Sequence, residues 1–172
     1  TVASTTEILH YLRLLYAKVG RLHCTGCGRP VQGLSPAALA ARVLELGFTG
    51  QLELFVPAVR GRKGFHKEVL ARAASAGHTH VRVDGRVRPL AAVTELRRYH
   101  VHDIDFVLPV GPTPDALGVA VAAALALGDG GFSVRAAGRP ERRFSANYAC
   151  AHCDLAFEPP DPPGLSHQTE RG

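Results

Sequence analysis

The chain has 172 residues, 46% of them hydrophobic and 20% charged, with a formal net charge of +5. These values allow one ordinary domain, or one domain plus a small attached module, and exclude a disordered tail. The basic balance suits a nucleic-acid or an acidic protein partner without choosing between them, and no apolar run reaches the roughly 18–20 residues that span a bilayer. There is no methionine and the sequence opens on Thr1, so the expectation is a piece of a longer chain.

The first segment, STTEILHYLRLLYAKVG, predicts a helix. Ser4 and Glu7 have the spacing of a capping box, in which hydroxyl and carboxylate each take an orphan amide. Ile8, Leu12, Leu15, Tyr16 and Val19 then share a face, and Gly20 ends the helix. RLHCTGCGRPV follows, with Cys24 and Cys27 in a tight glycine-containing turn. Ser35 and Pro36 form an N-cap with proline at the first helical position. Leu39, Val43 and Leu46 continue that helix to Gly47. QLELFVPAV alternates Leu52, Leu54 and Val56, which predicts a half-buried strand. RGRKGFHK reads as a basic, glycine-rich loop, and HKEVLARAASAG as a short helix ending near Gly77.

In HVRVDGRVRPL, Asp84-Gly85 is a strong hairpin signal. Val83 would then oppose Arg86, which marks the second strand as an edge. HDIDFVLPV alternates Ile104, Phe106 and Leu108, another strand, with Asp103 and Asp105 on an ordinary polar face. Thr113 and Pro114 open a helix carrying Leu117, Val121 and Leu125. GFSVRAAG and ERRFSANYA read as a closing pair of strands leading into Cys150 and Cys153. FEPPDPPG is extended and GLSHQTERG unstructured. The expected fold class is α+β: a mixed, mainly antiparallel small sheet with flanking helices, inserted between two CxxC knuckles.

A closed structural zinc site needs four soft or borderline ligands in a tetrahedron, and each CxxC turn supplies one edge. Cys24, Cys27, Cys150 and Cys153 therefore either share one ion or form two half-sites. Half-sites would be completed by His23, His152 or residues outside this sequence. Paired CxxC motifs fit a reducing compartment better than a disulfide framework, which points to the cytoplasm. Arg60, Arg62, Lys63, His66 and Lys67 surround two glycines. That pattern suits contact with an acidic protein or a nucleic acid, and it lacks the spacing of a phosphate loop. The histidine pairs His78/His80 and His100/His102 read as solvated strand edges. Ser145 lacks a nucleophile-elbow context, and no GxGxxG, Walker A or acidic metal cluster is present. No activity is expected of this segment alone.

STTEILHYLRLLYAKVG before a CxxC, then VPAVRGRKGFHKEVL, VRVDGRV and FSANYACAHC, resemble in order and spacing the UvrA family of bacterial excinuclease ATPases. The resemblance covers residues 1 to about 158. It implies that residues 1–22 end the first ATP-binding segment and that 23–29 and 146–158 are CxxC knuckles. Residues 30–145 would be the UvrB-binding domain and 159–172 a disordered tail. It also implies zinc, a homodimer, and ATP and DNA as ligands of the full-length protein only. UvrB becomes the expected partner, with Arg60 to Lys67 as its contact. One departure concerns the metal. Where the family runs on to a further CxxC, this sequence reads PPGLSHQTERG, so Cys150 and Cys153 must recruit Cys24 and Cys27 or stay metal-poor. Walker A, signature and Walker B motifs are missing, so ATP hydrolysis is not expected. The alternatives are a nucleic-acid-binding zinc module or a truncated remnant without function.

Overall fold

The computed structural model describes residues 8–31, 33–93, 95–111, 113–150, 152–153 and 155–165. The expected capping box at Ser4 and Glu7 lies outside these residues, as does the end of the chain from 166 onward. Two compact units are present. One is built from the flanking segments, up to Gly33 and from Asn147 on; the other is Leu34–Ala146.

The flanking segments contribute helix α1 (Ile8–Val19), which closes on a hydrogen bond from the Gly20 amide to the Tyr16 carbonyl (3.0 Å). Its apolar stripe is exposed along its length. At the other end, the Asp161 carboxylate accepts from the Gly164 amide at 2.9 Å and caps a 3-10 turn at Pro163–Leu165. Structure therefore reaches into the stretch that composition alone marks as unstructured.

The Leu34–Ala146 unit follows the alternation read from its sequence. Helix α2 (Pro36–Glu45) starts where the Ser35 hydroxyl accepts from the Ala38 amide (3.2 Å). Strand β1 is Leu52–Lys63 and helix α3 is Lys67–Ser75. Strands β2 (His80–Val83) and β3 (Arg86–Pro89) form the expected hairpin, and β4 is Val101–Val110. Helix α4 (Pro114–Leu127) is capped by Thr113, and β5 (Gly131–Ala136) and β6 (Arg142–Ser145) close the unit. One antiparallel sheet runs β3-β2-β4-β1-β5-β6, placing β3 at an edge as Arg86 predicts. Leu54 and Val56 of β1, Ile104 and Phe106 of β4 and Phe132 of β5 join Leu39 and Val43 of α2 and Leu117 and Val121 of α4 in one buried cluster. That arrangement is α+β. The unit's two ends meet: the Leu34 amide donates to the Ala146 carbonyl at 2.6 Å.

Three local features depart from the sequence reading. RGRKGFHK is not a loop at its start, because β1 continues to Lys63, pairing Arg62 with His102 and Lys63 with Val101 across two register shifts. The bulged backbone is satisfied from β4: the Asp103 carboxylate accepts from the Gly61 amide at 2.7 Å. Second, Phe55 is fully buried although it sits on the face opposite Leu54 and Val56. The Arg82 and Arg135 guanidinium groups lie 3.8 and 4.7 Å from its ring centre and roof it. Third, Asp105 is no ordinary polar-face residue. It is buried, paired with Arg60 and, at 2.7 Å, with Arg82, which also bonds Glu141. A carboxylate taken out of water needs such partners.

The hairpin turn also differs in what its first residue does. Asp84 and Gly85 both have positive φ, 49° and 78°, as a type I′ turn requires. Asp84 additionally accepts from the Asp103 amide (3.0 Å) and from His102 (2.9 Å). Burial pushes the Asp84 carboxyl up, but the Asp103 amide, His102 and Arg88 outweigh it and hold it below its ordinary value. A depressed carboxyl stabilises the fold above the unfolded value, and that stabilisation is lost as pH falls through the folded one. Asp84→Asn keeps a residue that tolerates the turn but removes the charge. It is expected to cost about 0.5–1 kcal/mol in urea melts near neutrality, since the side chain is half exposed, and progressively less as pH falls below the ordinary carboxylate range.

Candidate functional site

The two CxxC turns are built alike. Around the first, the Val31 amide donates to the Leu22 carbonyl (3.0 Å), the Cys24 amide to the Arg29 carbonyl (2.8 Å) and the Gly28 amide to the Cys24 carbonyl (2.8 Å). Around the second, the Phe157 amide donates to the Tyr148 carbonyl (2.7 Å) and the Cys150 amide to the Leu155 carbonyl (2.8 Å). Isolated bridges, His23 with Pro30 and Ala149 with Ala156, tie each ribbon below its turn. Each cysteine pair thus sits at the tip of a short ribbon, its thiols free and not joined in disulfides.

The turns bring their sulfurs to one point. The Sγ atoms of Cys24, Cys27, Cys150 and Cys153 all lie within 4.8 Å of one another, and those of Cys27 and Cys150 are 3.6 Å apart. A zinc ion with bonds of about 2.3 Å requires tetrahedral edges of about 3.8 Å. Gly26 faces the second turn: a Cβ there would stand in ordinary contact with Cys153 Sγ and Leu155 Cδ1, each at 3.4 Å. The Cys153 amide points at Cys150 Sγ (3.4 Å).

Electrostatics inside the cluster pull in opposite directions. The Cys153 amide lowers the Cys150 thiol to about 7. The neighbouring Cys27 thiol pushes Cys153 up to about 12. Sulfurs this close cannot all become thiolates beside one another unless a cation sits among them. Geometry and donor chemistry both fit an ion such as zinc. His23 is turned to its own knuckle, donating from Nδ1 to the Gly28 carbonyl (2.9 Å), while His152 Nδ1 lies 3.5 Å from Cys153 Sγ.

The basic stretch divides. Arg62, Lys63 and Lys67 are exposed. Arg60 is folded back: its guanidinium reaches Asp105 and donates to the Val59 carbonyl (3.1 Å). His66 donates from Nε2 to the Arg62 carbonyl (3.0 Å) and lies edge-on to the His102 ring, centres 6.0 Å apart. The solvated-edge expectation also fails at His102, which is buried between the Asp84 carboxylate and the Arg97 carbonyl (3.0 Å). At His78 the ring stacks on Phe106, centres 5.2 Å apart. Arg97, Arg98 and Tyr99 carry no assignment from sequence; a lone aromatic among bases was the available signal.

In class, this is an α+β domain inserted in sequence between two cysteine knuckles whose sulfurs converge. Residues 35–138 match the family model of the UvrA interaction domain, and the chain belongs to that family. It is 34% identical to UvrABC system protein A of Bacillus subtilis, over 91% of this chain and 17% of that protein. For the Streptomyces coelicolor protein of the same name, identity is 33% over 100% of this chain and 18% of the relative. The Methanothermobacter thermautotrophicus protein is 34% identical, over 100% and 19% respectively. The chain therefore spans less than a fifth of the length of these relatives. Among the described residues no helix is long and apolar enough to cross a membrane.

Proposed function

We propose that the chain is the UvrB-docking segment of a UvrA-type nucleotide excision repair protein. The observation that carries this is a coincidence of boundaries. The interaction-domain match, residues 35–138, falls on the compact unit Leu34–Ala146. In this reading Cys24, Cys27, Cys150 and Cys153 hold one zinc ion that fixes the two knuckles. Arg62, Lys63 and Lys67 face the partner; Arg60 and His66 shape the strand end that presents them. ATP hydrolysis, DNA binding and homodimerisation belong to the longer protein, in the cytoplasm, and this segment has no ATPase activity of its own.

The test is direct binding. Titration calorimetry with purified UvrB should give a 1:1 complex that weakens as salt rises, because exposed charges are screened. Arg62→Glu with Lys63→Glu should reduce affinity by more than about tenfold without altering the circular dichroism spectrum. Absence of UvrB binding, together with steeply salt-dependent binding to duplex DNA, would replace docking by nucleic-acid binding.

A further inference from the structure

Beyond the charges, the same end of the sheet carries two aromatic rings open to solvent, Tyr99 largely and Phe65 in part. Tyr99 is 77% exposed and Phe65 is 37% exposed. Their chain positions place both at the same end of the β1–β4 ladder, because Phe65 follows Lys63 by two residues, Tyr99 precedes Val101 by two, and Lys63 pairs with Val101. Both turns are pinned by hydrogen bonds of their own. At 97–100, the His100 amide donates to the Arg97 carbonyl (3.1 Å), His102 Nε2 lies 3.0 Å from that same carbonyl, and Leu96 is buried. At 64–66, His66 adopts φ 47°, a left-handed conformation that costs energy in a residue other than glycine. It is held there by its bond to the Arg62 carbonyl and by its edge-on contact with the His102 ring.

A turn held by such bonds, with an aromatic ring partly open to solvent, is pre-organised for a partner. Large, stiff aromatics ringed by arginine are the residue types that dominate protein–protein binding energy. We infer that Phe65 and Tyr99 form the apolar anchor of the docking surface, ringed by Arg62, Lys63, Lys67 and Arg98, and that it receives a carboxylate-rich protein surface. This rests on the docking reading above and adds the anchor and the partner's chemistry to it. Charge complementarity selects an acidic occupant. A protein surface fits better than a nucleic-acid strand. Each ring already carries a cation of its own chain, Lys67 at 5.4 Å from Phe65 and Arg98 at 5.6 Å from Tyr99, and two rings do not make the run of platforms on which successive bases stack.

The experiment measures UvrB affinity for the chain and its Tyr99→Ala, Phe65→Ala and Tyr99→Phe variants, at low and high salt. Melting curves check the fold, which exposed substitutions should leave alone. A thymine oligonucleotide serves as a second probe. Tyr99→Ala should weaken UvrB binding about tenfold or more at both salt concentrations, Phe65→Ala somewhat less, and Tyr99→Phe should restore most of it. The Arg62/Lys63 reversal should lose its effect at high salt, separating anchor from charges. If the parent chain binds UvrB and both alanine variants bind within about twofold of it, the anchor is overturned and docking stands. If the parent chain does not bind UvrB, docking fails and the anchor with it. Tight oligonucleotide binding that disappears in Tyr99→Ala, with UvrB affinity unchanged, would make the patch a nucleic-acid site and also overturn the inference.

Discussion

Cys24→Ser should empty the knuckle pair: zinc per chain, measured by mass spectrometry under native conditions, is expected to fall from about one to near zero. Cys24 is buried and its sulfur lies within 4.8 Å of the other three. A serine hydroxyl at that point neither ionises readily nor replaces a thiolate as a soft ligand. Structural zinc sites contribute apparent binding free energies of about 10–16 kcal/mol, so the short ribbons around the cysteines should lose their amide protection with the ion. The buried cluster of the Leu34–Ala146 unit contains no knuckle residue and should keep its melting transition. A Cys24→Ser chain that retains a full zinc complement would show that the ion is held by a half-site instead. Acid should have a related effect. Cys153, pushed up to about 12 by Cys27, keeps its proton until a cation displaces it. The loaded state therefore binds fewer protons than the free thiols, and loading weakens as pH falls. Zinc release to a chelating dye should rise as pH falls below neutrality.

Asp105→Ala is expected to be strongly destabilising. The carboxylate is buried and joins Arg60 to Arg82, and the Arg82 side chain, only 11% exposed, would keep just Glu141. Removing one partner from a buried ion pair leaves the other charge uncompensated, at a cost of about 3–5 kcal/mol. The surviving Arg82–Glu141 bond places the expected value at the lower end, read as a shifted urea midpoint with unchanged slope. Two consequences separate this from simple loss of packing. Arg82 roofs Phe55, so Phe55 should gain solvent accessibility. Asp105→Leu combined with Arg82→Leu should recover much of the loss, because a buried pair replaced by apolar groups is often neutral. A shift below about 1 kcal/mol for Asp105→Ala would mean that the arginines find water instead.

Where the sequence was legible, local chemistry decided the structure. Ser35 before Pro36, Thr113 before Pro114 and Asp84-Gly85 each fix backbone dihedrals within a few residues, and each produced the expected cap or turn. The alternation of Ile104 and Phe106 placed the core face of β4 for the same reason. What was not legible depended on distant partners. RGRK looks like loop because its residues are polar and flexible, but β4 supplies a ladder and Asp103 fills the donor at the bulge. Asp105 becomes an interior ion only because β1 and β2 bring arginines to either side of it. His102 is buried because two turns close over it, the Asp84 hairpin turn and the turn at 97–100. For the metal centre, CxxC spacing named all four candidate ligands, but nothing in it chose between a shared ion and two half-sites. Convergence of the sulfurs depends on the chain returning after a whole domain.

That return has a consequence for how the domain can be handled. Leu34 and Ala146 share a backbone hydrogen bond of 2.6 Å, so a linker of a few residues would bridge the gap if everything between them were excised. Closing a short loop costs little entropy, and the cost grows only slowly with length. The segment is thus suited to exchange as a cassette: it can be shortened, swapped for a homologue's, or transplanted onto another scaffold with neighbouring attachment points.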